Sequence, residues 1–300
     1  GPTFSIRKFR EVPFTPTDMI RLNTASAEML AYLWFVVENG SNILITGGVS
    51  TGKTSLLNTV SLFIPTSAKI VSIEDTRELN LPHENWIPGV ARVGFAGTSV
   101  GEVTMFELLR ESFRQNPDYL IVGEVRGKEA YVMFQGMASG HASISTMHAG
   151  SVDDVLKRLQ THPINLSPGL LDSLDIVVVM IHAREKGKSA RRIREIVEIE
   201  SIDISTGIPH INKAFGWIPS QDAFEYKGSS WVLSKIAAMR DIDLNSILKD
   251  IARRKKFLSW MYENNIIDLN DVVKYLNMYT NNPSKMENIM AGHAEEEKQR

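Results

Sequence analysis

The sequence predicts an α/β fold: a mostly parallel sheet wound around a phosphate-binding loop, widened by an antiparallel β extension and followed by a helical C-terminal module. Three observations predict it. A short apolar run, Ile43-Leu44-Ile45, breaks at a glycine pair and passes into a helical pattern carried by Leu56, Leu57 and Val60, which reads as strand, loop, helix. Further apolar runs at 69–73, 119–122, 141–148 and 174–181 alternate with helical patterns, as strands of a parallel sheet do. Past residue 190 the apolar positions alternate with period two, and past residue 241 helical spacing takes over. The domain reading is a connector at 1–22, a core at 23–232 and a helical module at 233–300.

The first turn carries the chemistry. Gly47-Gly48-Val49-Ser50-Thr51-Gly52-Lys53-Thr54, followed by Ser55, has the Gly-x-x-x-x-Gly-Lys-Thr spacing of a phosphate loop. Glycines at 47, 48 and 52 allow backbone angles and a close approach that a side chain forbids, so successive N–H groups can point at phosphate oxygens. The following helix adds its positive end. Lys53 has the reach for the β- and γ-phosphates, and the Thr54 hydroxyl is placed to ligate Mg²⁺. ATP or ADP with Mg²⁺ is therefore the expected ligand of residues 47–55. An ordinary glycine turn with a solvated lysine leaves that clustering unexplained.

Composition narrows the alternatives. Over 300 residues, 43% hydrophobic and 23% charged content are those of a globular protein with room for a core and an appendage. The net charge of −2 offers no global basic field for nucleic acid or anionic lipid. The longest apolar run, at 176–181, is far short of the ~20 residues of a membrane helix, so any membrane role is expected to be indirect. Cysteine is absent, which excludes disulfides and cysteine-ligated metal and fits a cytoplasmic setting. The start at Gly-Pro-Thr is read as that of a fragment lacking an upstream region.

Taken in order, Phe4 and Ile6 suggest a strand, and Pro13 and Pro16 a connector. Residues 24–38 have helical spacing and stop at Gly40. The strand at 69–73 delivers Glu74-Asp75-Thr76-Arg77-Glu78, and a strand's carboxyl end is where α/β folds place chemistry. Residues 81–103 read as an irregular loop. Thr104 and Glu107 form a capping box opening a helix that bears Arg110 and Arg114. The strand at 119–122 delivers Glu124, an acid placed for the Mg²⁺ shell or for an attacking water. A helix at 128–139 follows, then a strand with His141 and His148 at its ends. His148 is a candidate γ-phosphate sensor, and no third ligand is spaced for zinc. Ser151 caps another helix. Residues 191–226 read as antiparallel strands turning at Thr206-Gly207. In the helical region, Arg253-Arg254-Lys255-Lys256 reads as a solvated face, and the tail after Pro283 as frayed.

Four of these segments, in this order, resemble the secretion ATPase family of type II and type IV secretion, type IV pili and archaella, over about residues 4–230. The phosphate loop is one. The family's "Asp box" resembles Ile73-Glu74-Asp75-Thr76-Arg77-Glu78, its Walker B region resembles residues 117–126 with Arg110 and Arg114 just upstream, and its "His box" is similar to Gly140-His141 through Met147-His148. Thr76 and Gly127 depart from the usual bacterial pattern, and no tetracysteine module is present; with the helical tail bearing Trp260-Met261, these features look like the archaeal branch, the archaellum motor first and pilus-assembly or secretion ATPases next.

The resemblance implies a RecA-like P-loop NTPase core that hydrolyses ATP. It implies a homo-hexamer at a polytopic membrane platform protein, cytoplasmic and peripheral to the membrane through partners, with no direct nucleic acid. A segment similar to residues 4–9 would join a preceding domain. Glu78 is the first candidate to activate water, with Glu74 and Glu124 as competitors. Thr54 and Glu124 would hold Mg²⁺. Lys53, with Arg77, Arg110, Arg114 or Arg126 from a neighbouring subunit, would neutralise charge on the γ-phosphoryl group. A RecA-like nucleic-acid translocase is the rival reading, and it needs a basic, aromatic-bearing channel.

Overall fold

The computed structural model describes every residue except 5, 7–9, 95–99, 186 and 299–300, with no side chains described past residue 292. In chain order the elements are α1 (Pro16–Arg21), α2 (Ala27–Glu38), β1 (Ile43–Gly47), α3 (Lys53–Ser61), β2 (Ile70–Glu74), β3 (Trp86–Val90), α4 (Met105–Ser112), β4 (Tyr119–Val125), α5 (Glu129–Ala138), β5 (Ala142–Met147), α6 (Val152–Gln160) and α7 (Pro168–Leu171). The antiparallel strands β6 (Ile176–Glu185), β7 (Lys188–Ile202), β8 (Pro209–Ile218) and β9 (Ala223–Tyr226) follow, then α8 (Trp231–Arg240), α9 (Leu244–Glu263), α10 (Leu269–Asn281) and α11 (Pro283–Lys298).

The described strands make one sheet in the order β3-β2-β4-β5-β1-β6-β7-β8-β9. From β3 to β6 all pairings are parallel, and from β6 to β9 all are antiparallel. The α/β class with its antiparallel extension is thus present as expected. β1 lies in the middle with helices on both faces, so every one of its residues is buried, as the unbroken apolar run Ile43-Leu44-Ile45 requires. Ile43 and Ile45 point into a core with α2, α3 and α8–α11, while Leu44 points into a second core with α4–α7. The strands' carboxyl ends therefore open along one edge between two packed layers, and the loops leaving them converge there.

Four local readings need correction. Pro16 opens α1 instead of a connector, because Thr15 caps that helix with Asp18 in a capping box. Within the expected loop at 81–103, β3 pairs with β2 at the sheet edge; Pro88 and Gly89 disguise it, and an edge position tolerates both. The tail after Pro283 forms α11, whose Met286 (0% exposed) and Met290 are buried in the α2-side core. In the basic run, Arg254 is buried, its guanidinium 4.7 Å from the Trp34 ring centroid and paired with Glu38 and Asp250. The strand expected from Phe4 and Ile6, and the segment 4–9, lie mostly outside the described residues; Phe4 and Ile6 themselves are exposed and in no regular element.

Candidate functional site

β1 ends at Gly47, where a Cβ would come within 2.5 Å of Thr51 Oγ1 and 2.6 Å of the Met180 carbonyl on β6. Only glycine lets the loop leave so close to the neighbouring strand. Gly52 sits at φ +95°, and Ser50 takes a left-handed turn at φ +58°. At Gly48, by contrast, an added Cβ would meet nothing nearer than 3.7 Å, so the chain's own sterics demand glycine at 47 and 52 but not there. The loop folds around one carbonyl: the Thr51 hydroxyl and the Lys53 ammonium both donate to Gly48 O, at 3.0 and 2.9 Å. Gly52 provides no side-chain cap, so the first N–H groups of α3, which starts at Lys53, lack one where an anion would sit.

Residues 49–55 line a cavity of about 1270 Å³, and Glu78, Glu124, Arg126 and His148 line it with them. Three strand ends place these groups. Glu124 lies in β4 at a register shift between Val122 and Val125, and the carbonyls around the shift are held from β5: Ser145 Oγ donates to Val122 O and Thr146 Oγ1 to Gly123 O, at 2.8 and 2.7 Å. His148 follows β5 directly.

Glu78 is placed by Glu74. The Glu74 carboxylate is buried at the end of β2 (2% exposed), and its Oε1 accepts from the backbone N–H of both Glu78 and Leu79, each at 2.9 Å. Its Oε2 is buried with no hydrogen-bond partner among the described residues. Burial pushes this carboxyl up from the ordinary value, against the pull of the two N–H groups. Glu74 does not line the cavity; it staples the turn that presents Glu78 to it.

The arginines separate. Arg126 reaches Glu124 at 2.6 Å and Asp75 at 3.5 Å, and its bond to Glu124 raises its pKa. Arg77 stacks over Trp86 at 5.3 Å from the ring. Arg110 lies over Phe106 and faces a second cavity of about 510 Å³ that also contains His141. Arg114 pairs with Glu111 at 3.3 Å on the surface. None of these last three lines the large cavity, and His141 is separated from His148.

The donor set fits Mg²⁺. The Thr54 hydroxyl and the Glu78 and Glu124 carboxylates are hard oxygen donors in one cavity. No cluster of three or more acidic, histidine or cysteine ligands capable of caging a metal occurs among the described residues, so substrate oxygens would have to complete the shell, as Mg²⁺ sites commonly require.

Residues 1–204 match the model of the family "Type II/IV secretion system protein". The chain belongs to that family. It is 45% identical over 243 residues to the uncharacterized protein MJ1287 of Methanocaldococcus jannaschii, covering 81% of this chain and 90% of that one. It is 38% identical over 174 residues to the type IV secretion system protein PtlH of Bordetella pertussis, covering 54% and 50%. Among solved structures, the VirB11 ATPase from the Brucella suis type IV secretion system is 30% identical over 56% of this chain and 51% of that one, with a TM-score of 0.47. The chain thus spans about half the length of those two bacterial proteins.

In this type II/IV secretion family member, two cavity cations had escaped the sequence reading. Arg158, in the last turn of α6, and Arg191, on β7, both line the cavity. Arg191 had a legible signal: in the pair Arg191-Arg192 the period-two alternation sends one side chain inward and the other outward. Arg158 had none, since a basic residue at a helix end is ordinary. Among the described residues no helix is long and apolar enough to cross a membrane.

Proposed function

We propose that this chain is the ATP-hydrolysing core of a hexameric secretion-type motor, dependent on Mg²⁺ and working at a polytopic membrane platform protein. The observation that carries the reading is the convergence of residues 49–55, Glu78, Glu124 and His148 on one cavity at the strands' carboxyl ends. The type II/IV secretion family supports it. Within the archaeal branch we assign the archaellum first, on Thr76, Gly127 and the helical tail, with pilus assembly and type II secretion second; the 45% identity to an archaeal relative fits each of these.

In this reading the loop N–H groups and the amino end of α3 bind the phosphates. Lys53 places positive charge beside them. Thr54 and Glu124 would hold Mg²⁺, which when bound neutralises charge on the phosphate oxygens. Glu78, held by the staple to Glu74, orients the attacking water and accepts its proton. Glu124 shares its carboxylate with Arg126, so the pair sets how much negative charge the cavity wall carries. His148 at the end of β5 reads the far phosphate. Arg77, Arg110 and Arg114, turned away from their own cavity, are available to a neighbouring copy's site, whereas Arg126 acts within its own. In the domain reading, 23–232 is the core and 233–300 the helical module.

The test is phosphate release by purified protein with Mg²⁺ and ATP, alone and with each candidate platform protein. Lys53→Ala is expected to abolish turnover. A steady-state rate equal to that of the unaltered protein would refute the site.

A further inference from the structure

The phosphate loop is gripped from outside by a cross-strand pair. His182 on β6 and Arg191 on β7 are direct partners in the antiparallel ladder. His182 Nε2 lies 3.2 Å from the Val49 carbonyl, and Arg191 Nε donates to the Ser50 carbonyl at 3.3 Å. Two neighbouring side chains of one hairpin thus hold two consecutive carbonyls at the loop tip. Ser50 is the loop's non-glycine residue at positive φ, a conformation that must be maintained by its surroundings. A carbonyl turned outward to His182 or Arg191 also leaves the loop's N–H groups turned inward, which is the arrangement an anion needs.

The hairpin is stiff at that point. Arg192, next to Arg191, is 1% exposed and forks onto Asp222 with two bonds of 2.7 Å. It also donates to the Leu22 carbonyl at 3.1 Å and to the Arg191 carbonyl at 2.9 Å, so the backbone carrying Arg191 is pinned from behind. Arg191 spends its Nε on the loop, and among the described residues no acceptor takes its terminal nitrogens, which belong to a side chain lining the phosphate cavity. A guanidinium so placed offers planar donors to phosphate oxygens.

We infer that His182 and Arg191 form a clamp that sets the shape of the phosphate loop, and that Arg191 adds a cationic contact to the polyphosphate from within the same chain. This rests on the nucleotide reading above and adds to it one positioning residue, His182, and one phosphate-contacting residue, Arg191, on the antiparallel extension and outside the phosphate-loop motif.

The test uses ADP with Mg²⁺ as probe, titrated calorimetrically against the full chain, so that turnover does not intrude. Arg191→Ala is expected to weaken binding about tenfold, or about 1.4 kcal/mol, with the ligand-free melting temperature unchanged. Arg191→Lys is expected to recover part of the loss, since it restores charge but not the planar fork. His182→Ala is expected to weaken binding about threefold, and the double variant less than the product of the two, because both act on one loop. Arg191→Gln serves in place of alanine should the latter not fold. Binding by Arg191→Ala within twofold of the unaltered chain, or by Arg191→Lys as weak as by alanine, overturns the clamp. Lys53→Ala separates the two levels: if it binds ADP as the unaltered chain does, or if neither binds, the nucleotide reading falls first. If Lys53→Ala loses binding while Arg191→Ala keeps it, the clamp alone falls.

Discussion

Glu74 offers the sharpest test of how the site is built, because its two oxygens have opposite circumstances. Oε1 satisfies two backbone donors, at Glu78 and at the buried Leu79, while Oε2 is buried without a partner among the described residues. Glu74→Ala leaves both donors without their acceptor, at about 1–3 kcal/mol each, and relieves part of that by removing a buried carboxylate. A net loss of about 2–3 kcal/mol is expected, which lowers the melting temperature by roughly 3–5 °C in a chain of this size. Glu74→Gln keeps an acceptor at Oε1 and discards the charge, so it should stay within about 1 kcal/mol. The pH dependence has a definite sign. Burial raises this carboxyl above 4.5, so the folded state binds its proton more tightly than the unfolded state. The associated stability is complete below 4.5 and is lost as pH rises through the raised value. The glutamine variant should therefore gain on the unaltered protein as pH climbs from 4.5 towards neutrality. Urea melts across that range, with phosphate release measured in parallel, give both readouts; turnover should fall with alanine and largely survive with glutamine. Equal damage from alanine and glutamine, or an alanine variant within 0.5 kcal/mol of the parent, would refute the staple.

Glu124→Gln is expected to keep nucleotide binding and slow hydrolysis at least tenfold, a barrier rise of about 1.4 kcal/mol, read by single-turnover kinetics beside a binding titration; equal loss of both would make Glu124 structural. The Asp222 carboxyl is held far below its usual range by the Arg192 guanidinium, so its contribution is complete above the ordinary value of 3.8 and drains away as pH falls. Asp222→Asn should flatten that acid limb, measured by urea melts below pH 5. Met286→Ala should cost about 2–4 kcal/mol if α11 is packed as described, and a chemical denaturation midpoint unchanged by it would contradict the burial.

What was legible in the sequence was what is encoded locally. The Gly-Lys-Thr spacing fixes a strand, a loop and a helix within 20 residues, and the box formed by Thr104 and Glu107 is satisfied within a single turn. β3 was hidden because its pairing partner β2 supplies the regularity that Pro88 and Gly89 take away. α11 was hidden because a charged, weakly patterned segment is ordered by two methionines entering a core made elsewhere. The acids of the site were legible from their places after apolar strands, yet the sequence could not say that Glu74 turns back to its own loop while Glu78 faces the cavity. The arginines were least legible. Arg77, Arg110 and Arg114 sit near the motifs along the chain, whereas Arg191 reaches the cavity through strand order, which places β6 and β7 beyond β1, and Arg158 reaches it from the last turn of α6.

Trp34 on α2 stacks against Phe63, just past the helix that grows from the phosphate loop, with ring centroids 5.5 Å apart. The same indole meets Phe257 on α9 and Tyr279 on α10, at 5.9 and 5.2 Å. Interiors packed this tightly transmit displacement instead of absorbing it. The final quarter of the polypeptide is thereby a buttress whose thrust lands, through one aromatic keystone, at the foot of the helix that follows the glycine-rich loop.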